Sequence, residues 1–154
     1  MPLVVNGWTL LYHPVFGRRY IELRNEARQL ERDLSGEQYV QQPLVKLAAA
    51  VHRLLTEIVP RDPNAPAFRL RGELAKFRRA KGRGLPPRYR LFWAFSDRAK
   101  AIIFLFLNDE STLRKEGSKT DPYEVFKHLV TRGEIGADFE ANLRVWRRAH
   151  QASG

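Results

Sequence analysis

The sequence predicts an α+β domain: an antiparallel sheet of about four strands, an N-terminal helical hairpin on one sheet face, and C-terminal helices. Three observations predict it. Residues 16–58 carry two apolar stripes at helical spacing, residues 88–107 switch to an alternating and then a continuous apolar pattern, and helical spacing returns after residue 121. A length of 154 residues suits one domain spanning 1–154, and 44% hydrophobic residues suffice for a core.

Each element has its own warrant. Gly7 to His13 is aromatic and branched and stops at Pro14, as a short first strand would. Phe16, Tyr20, Leu23, Ala27, Leu30 and Leu34 then form one helical stripe ending near Ser35-Gly36. A second helix starts near Pro43, a favourable first-turn proline, and is expected to bury Leu44, Leu47, Ala48, Val51, Leu55 and Ile58. The proline-rich run from Pro60 to Pro66 breaks it. Leu74 to Lys81 alternates weakly, and Arg88 to Ser96 alternates with Tyr89, Leu91, Trp93 and Phe95 on one parity. Ala101 to Leu107 is continuously apolar, as a strand covered on both faces would be. Ser96 to Ala99 reads as the turn between the last two. Glu110 to Arg114 is expected to form one helical turn, followed by helices from Asp121 to Gly133 and from Asp138 to Ala149.

With 27 Lys+Arg against 17 Asp+Glu the chain carries +10 and a pI of about 10.4, which points to an anionic partner, most often nucleic acid. Its distribution is uneven: residues 1–60 carry +1, 61–120 carry +9 and 121–154 carry 0. Arg69 to Arg90 alone holds nine cations against the single acid Glu73. The absence of cysteine excludes disulfides, thiolate zinc sites and a Cys nucleophile. Neither a signal peptide nor a run of eighteen apolar residues is visible, so a soluble, cytoplasmic protein without membrane contact is expected.

A helical hairpin covers only one face of a sheet. Arg90, opposite in parity to Leu91 and Trp93, is expected on the bare face. Arg79 and Lys81 share one parity and Lys76 and Arg78 the other, and period alone does not choose between these pairs. Either choice gives a concave basic face rimmed by loops carrying Arg114 and Tyr123. In the alternative, Arg90 and Arg114 form structural ion pairs with Asp109, Glu110 and Asp121. Two-metal chemistry needs converging carboxylates, and Asp109-Glu110 is the only acidic pairing, so no metal site and no cofactor is expected. His13, His52, His128 and His150 read as structural or solvated, with His128, five residues past Tyr123, the one to test.

Metal-free RNA cleavage asks for less. The ribose 2′-hydroxyl attacks the adjacent phosphorus, so the protein must take that proton, stabilise charge on the phosphoryl group and protonate the leaving 5′-oxygen. A lysine crowded by cations exchanges protons more readily, arginine clamps phosphate in bidentate fashion, and tyrosine stacks on a base or orients a hydroxyl. The same groups, with Tyr89, Phe92, Trp93 and Tyr123, equally suit a passive RNA binder.

An ordered series of stretches resembles the YhaV toxins of bacterial type II toxin–antitoxin systems, a branch of the RelE/ParE superfamily. It comprises Val5-Asn6-Gly7-Trp8 with His13-Pro14, Pro66-Ala67-Phe68-Arg69, Arg88-Tyr89-Arg90-Leu91-Phe92, and Asn108-Asp109-Glu110 through Thr112-Leu113-Arg114, Gly117, Lys119-Thr120-Asp121, Tyr123 and Val125-Phe126. The resemblance implies a RelE-like fold and an mRNA interferase that cleaves messages on translating ribosomes, inhibiting translation and growth. It also implies a PrlF-like antitoxin with an AbrB-type DNA-binding domain, through which alone operator DNA is reached. Arg79 and Arg90 then look like phosphate clamps, Lys81 like the proton-transfer or charge-stabilising lysine, Arg114 like the transition-state stabiliser and Tyr123 like the stacker or 2′-hydroxyl orienter. Lys76, Arg78, Arg83, Arg88 and Lys119 are further RNA-binding candidates. One departure is the linker Gly82 to Pro87, longer and richer in proline than the tight turn the family leads one to expect. Two other functions remain on this scaffold: a ParE-like DNA gyrase inhibitor and a non-catalytic RNA- or ribosome-binding module.

Overall fold

The computed structural model describes residues 2–109 and 120–152. Its α+β character is as expected. The sheet differs in two respects. It has five strands, β1 (Val4–Val5), β2 (Trp8–Tyr12), β3 (Arg78–Ala80), β4 (Leu91–Ser96) and β5 (Ala101–Leu107), in the order β1-β2-β5-β4-β3. It is also mixed, because β2 runs parallel to β5 while the other neighbours are antiparallel. The extra strand arises at Asn6-Gly7, whose φ values of 51° and 83° suit the left-handed turn that folds β1 back onto β2.

Helix α1 (Pro14–Asp33) starts on His13, whose ring nitrogen accepts from the Val15 N–H, and buries Phe16, Tyr20, Leu23 and Ala27. The connection to the next long helix is itself helical. Ser35 and Gln38 form a reciprocal capping box that opens α2 (Gly36–Gln41) before α3 (Pro43–Arg53) begins at its proline. The chain continues from α3 as a π-helical turn, Leu54–Ile58, whose wider winding brings both Leu54 and Leu55 into the core; Leu44, Ala48 and Ile58 are only half-buried.

On the first sheet face, α1, α3 and the π-turn cover Leu10, Leu91, Trp93, Ile102 and Phe104. The opposite face is covered as well. Helices α4 (Pro122–Thr131) and α5 (Phe139–Ala152) pack Phe126, Leu129 and Phe139 onto Phe92, Ala94, Ile103 and Leu105. The expected bare, concave basic face is therefore corrected to a three-layer arrangement. Phe92 and Ala94 have Arg90's parity and are fully buried, so among the described residues only the end of that face is left uncovered. A bulge between Phe92 and Trp93 leaves Leu105 as the extra residue on β5, which keeps Leu105 and Phe106 under α4 and returns Leu107 to the first face.

Candidate active site

The open end of the sheet is where β3 and β5 finish and β4 begins. Arg79 is paired with Phe92, so its side chain lies on the α4 side of the sheet, and Phe77, two residues earlier, is buried there. Arg90 is two residues from Phe92 on the same side, which puts the Arg79 and Arg90 Cα atoms roughly 8 Å apart from strand rise and spacing. Lys81 and Arg90 are the residues that follow and precede the last ladder pair, Ala80 with Leu91. The ladder thus puts Arg79 on the face of Arg90 and Arg78 on the other, while Lys81 is the exposed residue that follows β3 at the same end of the sheet.

The Arg90 side chain is held by Tyr123 and by the Tyr89 carbonyl. Its Nε donates to the Tyr123 hydroxyl at 3.1 Å, its Nη1 donates to the Tyr89 carbonyl at 2.8 Å, and its guanidinium carbon is 5.9 Å from the Tyr123 ring centre. Tyr123 occupies the first turn of α4, where buried Asp121 caps the helix by accepting from the Tyr123 N–H at 3.0 Å. Beneath it, Phe92 meets the Tyr123 ring edge-on at 5.5 Å and stacks on Phe126 at 4.4 Å. These rings fix the tyrosine over the start of β4.

Asn108, which sequence reasoning left without a role, supplies the backbone clamp. It is 1% exposed; its Oδ1 accepts from the Arg90 N–H at 2.7 Å and its Nδ2 donates to the Arg88 carbonyl at 3.2 Å. Arg88 has φ of 74°, a left-handed conformation that costs a non-glycine residue roughly 1 kcal/mol, and the clamp holds it. The signal available in the sequence was a polar residue directly after a wholly apolar strand.

Arg79 is half-buried. Its Nη1 donates to the Ala67 carbonyl at 3.3 Å, while its Nε is buried without an acceptor among the described residues. Lys76, Lys81, Arg83 and Arg88 are exposed. Arg78 does something else. It lies on the other face, donating to Asn64 Oδ1 at 2.9 Å and to the Ala75 and Phe77 carbonyls, with its guanidinium 5.3 Å from the Phe95 ring centre. Burial, with Arg69 nearby, lowers its pKa. Those bonds make Arg78 a tie between the loop at Asn64 and the sheet edge. Arg83 also lies apart, 5.0 Å over Phe68. Arg114 and Lys119, with the helical turn expected at Glu110 to Arg114, fall outside the described residues. The flanking residues Asn108 and Tyr123 both touch Arg90.

Among the described residues, no carboxylate lies within ion-pair distance of Arg79, Lys81 or Arg90; the pairs formed are Arg53–Glu57, Lys127 with Glu73 and Glu124, and Arg132–Glu134. Among the described residues the site is therefore a group of cations without carboxylate partners, backed by an aromatic stack and suited to binding a phosphodiester and stabilising charge that develops on it. Among the described residues, no group of three or more His, Cys, Asp or Glu could hold a metal ion, and no helix is long and apolar enough to cross a membrane. His13 is buried, and burial, with Arg18 next in effect, lowers its pKa to about 4. Its work is capping. His52 contacts the Tyr20 hydroxyl, His150 stacks on Trp146, and His128 is exposed on α4.

Residues 10–146 match the YhaV toxin family, described as a toxin with endonuclease activity, of a toxin–antitoxin system. The chain is 39% identical over 155 residues to the ribonuclease toxin YhaV of Escherichia coli K12, covering 97% of this chain and 98% of the relative. It is 39% identical to toxin YhaV of Escherichia coli O157:H7 and 38% identical to that of strain O6:H1, with the same coverage. No solved structure was found to match. Since the family match takes in both the basic strand and the Tyr123 helix, and the relatives align nearly end to end, the chain belongs to the YhaV family, toxins with endonuclease activity from toxin–antitoxin systems.

Proposed function

We propose that the endonuclease activity is metal-independent cleavage of mRNA by 2′-hydroxyl attack at the β3–β4–α4 end of the sheet. The observation that carries this reading is the Arg90–Tyr123 unit, held by Asn108 on the face of Arg79 at the end of the sheet where Lys81 follows β3, with no carboxylate within ion-pair distance among the described residues. Arg79 and Arg90 clamp the scissile phosphate. Lys81 moves the proton or stabilises the charge, Tyr123 stacks on a base or orients the 2′-hydroxyl, and Arg114 stabilises the transition state. As the 2′-oxygen bonds to phosphorus and loses its proton, the bond to the 5′-oxygen breaks and that oxygen is protonated, leaving a 2′,3′-cyclic phosphate. The relative named a ribonuclease toxin supports RNA as the substrate class.

In this reading the protein acts in the cytoplasm on translating ribosomes, and growth stops because messages are cut. A PrlF-like antitoxin with an AbrB-type DNA-binding domain neutralises it by covering the cationic end with an acidic or apolar segment, and carries it to operator DNA. The test is RNA 5′-end mapping after brief induction, with and without translation. Wild-type protein is expected to create new 5′ ends within messages, and a folded Arg90→Ala variant none. Growth arrest with full-length messages and an SOS response would instead identify a gyrase poison and overturn the reading.

A further inference from the structure

We infer that the loop pair formed by residues 58–68 and 82–85 is a second RNA subsite, which takes a nucleotide flanking the scissile phosphate. The inference rests on the reading of the protein as a ribonuclease. A cavity of about 380 Å³, the size class of small-ligand sites, opens between Arg53, Arg61 and Arg83, with Ile58, Ala65 and Phe68 as its apolar wall. Asp62 also lines it, but its carboxylate is engaged by the Asn64 N–H at 3.0 Å. Arg53 pairs with Glu57, whereas Arg61 and Arg83 form no ion pair among the described residues.

The long linker noted in the sequence builds one wall of this cavity. Gly82, Arg83 and Gly84 have φ of 66°, 54° and 94°, and Leu85 is buried in the core, so the loop is pulled onto α3, where a Cβ on Gly84 would stand 3.4 Å from that of Ala50. Arg83 therefore adopts a conformation costly for a side-chain-bearing residue, and its guanidinium lies 5.0 Å over the Phe68 ring. A guanidinium backed by an aromatic ring offers its outer plane to a base, and Arg61 suits the adjoining phosphate. The cavity adjoins the catalytic face through a single turn, Pro66–Phe68: the Ala67 carbonyl accepts from Arg79 while Phe68 forms the cavity wall. A strand clamped at Arg79 can thus continue over this turn into the cavity.

The test is fluorescence anisotropy with 2′-O-methylated, uncleavable RNA of three and of eight nucleotides, using the full chain and the variants Arg61→Ala and Arg83→Gly. Glycine suits the positive φ at position 83, which favours folding of that variant. Arg61→Ala is on an exposed position and provides an independent check. Each variant is expected to weaken octamer binding at least fivefold and to leave trimer binding unchanged, and Arg61→Ala, which loses a phosphate contact, to lower the salt slope of log affinity by about 0.7. Octamer binding equal to wild type in both folded variants overturns the subsite while leaving the ribonuclease reading intact. Variants that bind octamer normally but escape neutralisation by the antitoxin would reassign the cavity to that protein. Wild-type protein that binds the octamer through these arginines but never cuts unmodified RNA would sustain the subsite and sink the catalytic reading.

Discussion

Replacing Asn108 by alanine should loosen Arg90 without removing a charge. Among the described residues two hydrogen bonds disappear, to the Arg90 N–H at 2.7 Å and from Nδ2 to the Arg88 carbonyl at 3.2 Å. Each contributes on the order of 1 kcal/mol, and the Arg90 N–H, half-buried, loses part of its solvation as well, so about 2–3 kcal/mol of stability is at stake. Released from its left-handed conformation, the Arg88 backbone relaxes, and Arg90 moves relative to the phosphate it is proposed to clamp. A displacement near 1 Å lowers kcat by about 10- to 100-fold with a smaller effect on KM. Urea denaturation gives the stability change, and RNA cleavage at 25 °C, corrected for the folded fraction, gives kcat and KM separately. If Asn108→Ala is destabilised as stated but cuts RNA with wild-type kcat per folded molecule, Asn108 does not position Arg90. A stability change below about 0.5 kcal/mol would contradict the clamp itself.

Three further outcomes follow from the packing. Phe126→Ala removes the fully buried ring that stacks on Phe92 and meets Phe77, and should cost about 3–5 kcal/mol by denaturation. Because the folded pKa of His13 is lowered to about 4 from 6.5, the unfolded chain binds the extra proton first; its contribution is intact above pH 6.5 and is lost as pH falls towards 4, at most on the order of 3 kcal/mol. His13→Asn, which keeps a capping side chain, should flatten that part of the stability–pH curve; an unchanged slope would place the titration elsewhere. Gly136→Ala would set a Cβ 2.6 Å from that of Ala141 and 3.0 Å from backbone atoms, so a lowered Tm is expected, and an unchanged one would contradict the close turn.

Much of the fold could be read from apolar spacing, because Phe16 to Ala27 and Ala101 to Leu107 have only one way to bury their side chains. Asn6-Gly7, a strong hairpin signal, was passed over, and with it β1. The bare face was the larger error: parity tells which residues share a face, but not whether a helix distant in sequence lies on it, and Phe126 and Leu129 were not assigned to either side. At the site, parity paired Arg79 with Lys81 and family resemblance chose that pair over Lys76 and Arg78. Arg78 could not be recognised as a structural tie, since its partners Asn64 and Phe95 are distant in sequence or belong to another strand. Asn108 escaped for the same reason: its bonds reach back 18 and 20 residues.

The most direct measurement concerns the cut ends. Purified protein is incubated, in the presence of translating ribosomes, with a message containing its cleavage site, alongside the same message with a single 2′-deoxyribose at that site, and with Arg79→Ala and Arg90→Ala proteins shown to be folded. Attack by the 2′-hydroxyl at the cationic end of the sheet predicts a 2′,3′-cyclic phosphate and a 5′-hydroxyl from wild-type protein, no cut at the 2′-deoxy position, and at least a 100-fold lower rate from either variant, the equivalent of about 2.7 kcal/mol of transition-state stabilisation. Cleavage that tolerates the 2′-deoxy sugar, or that proceeds at the wild-type rate in both variants, would contradict it.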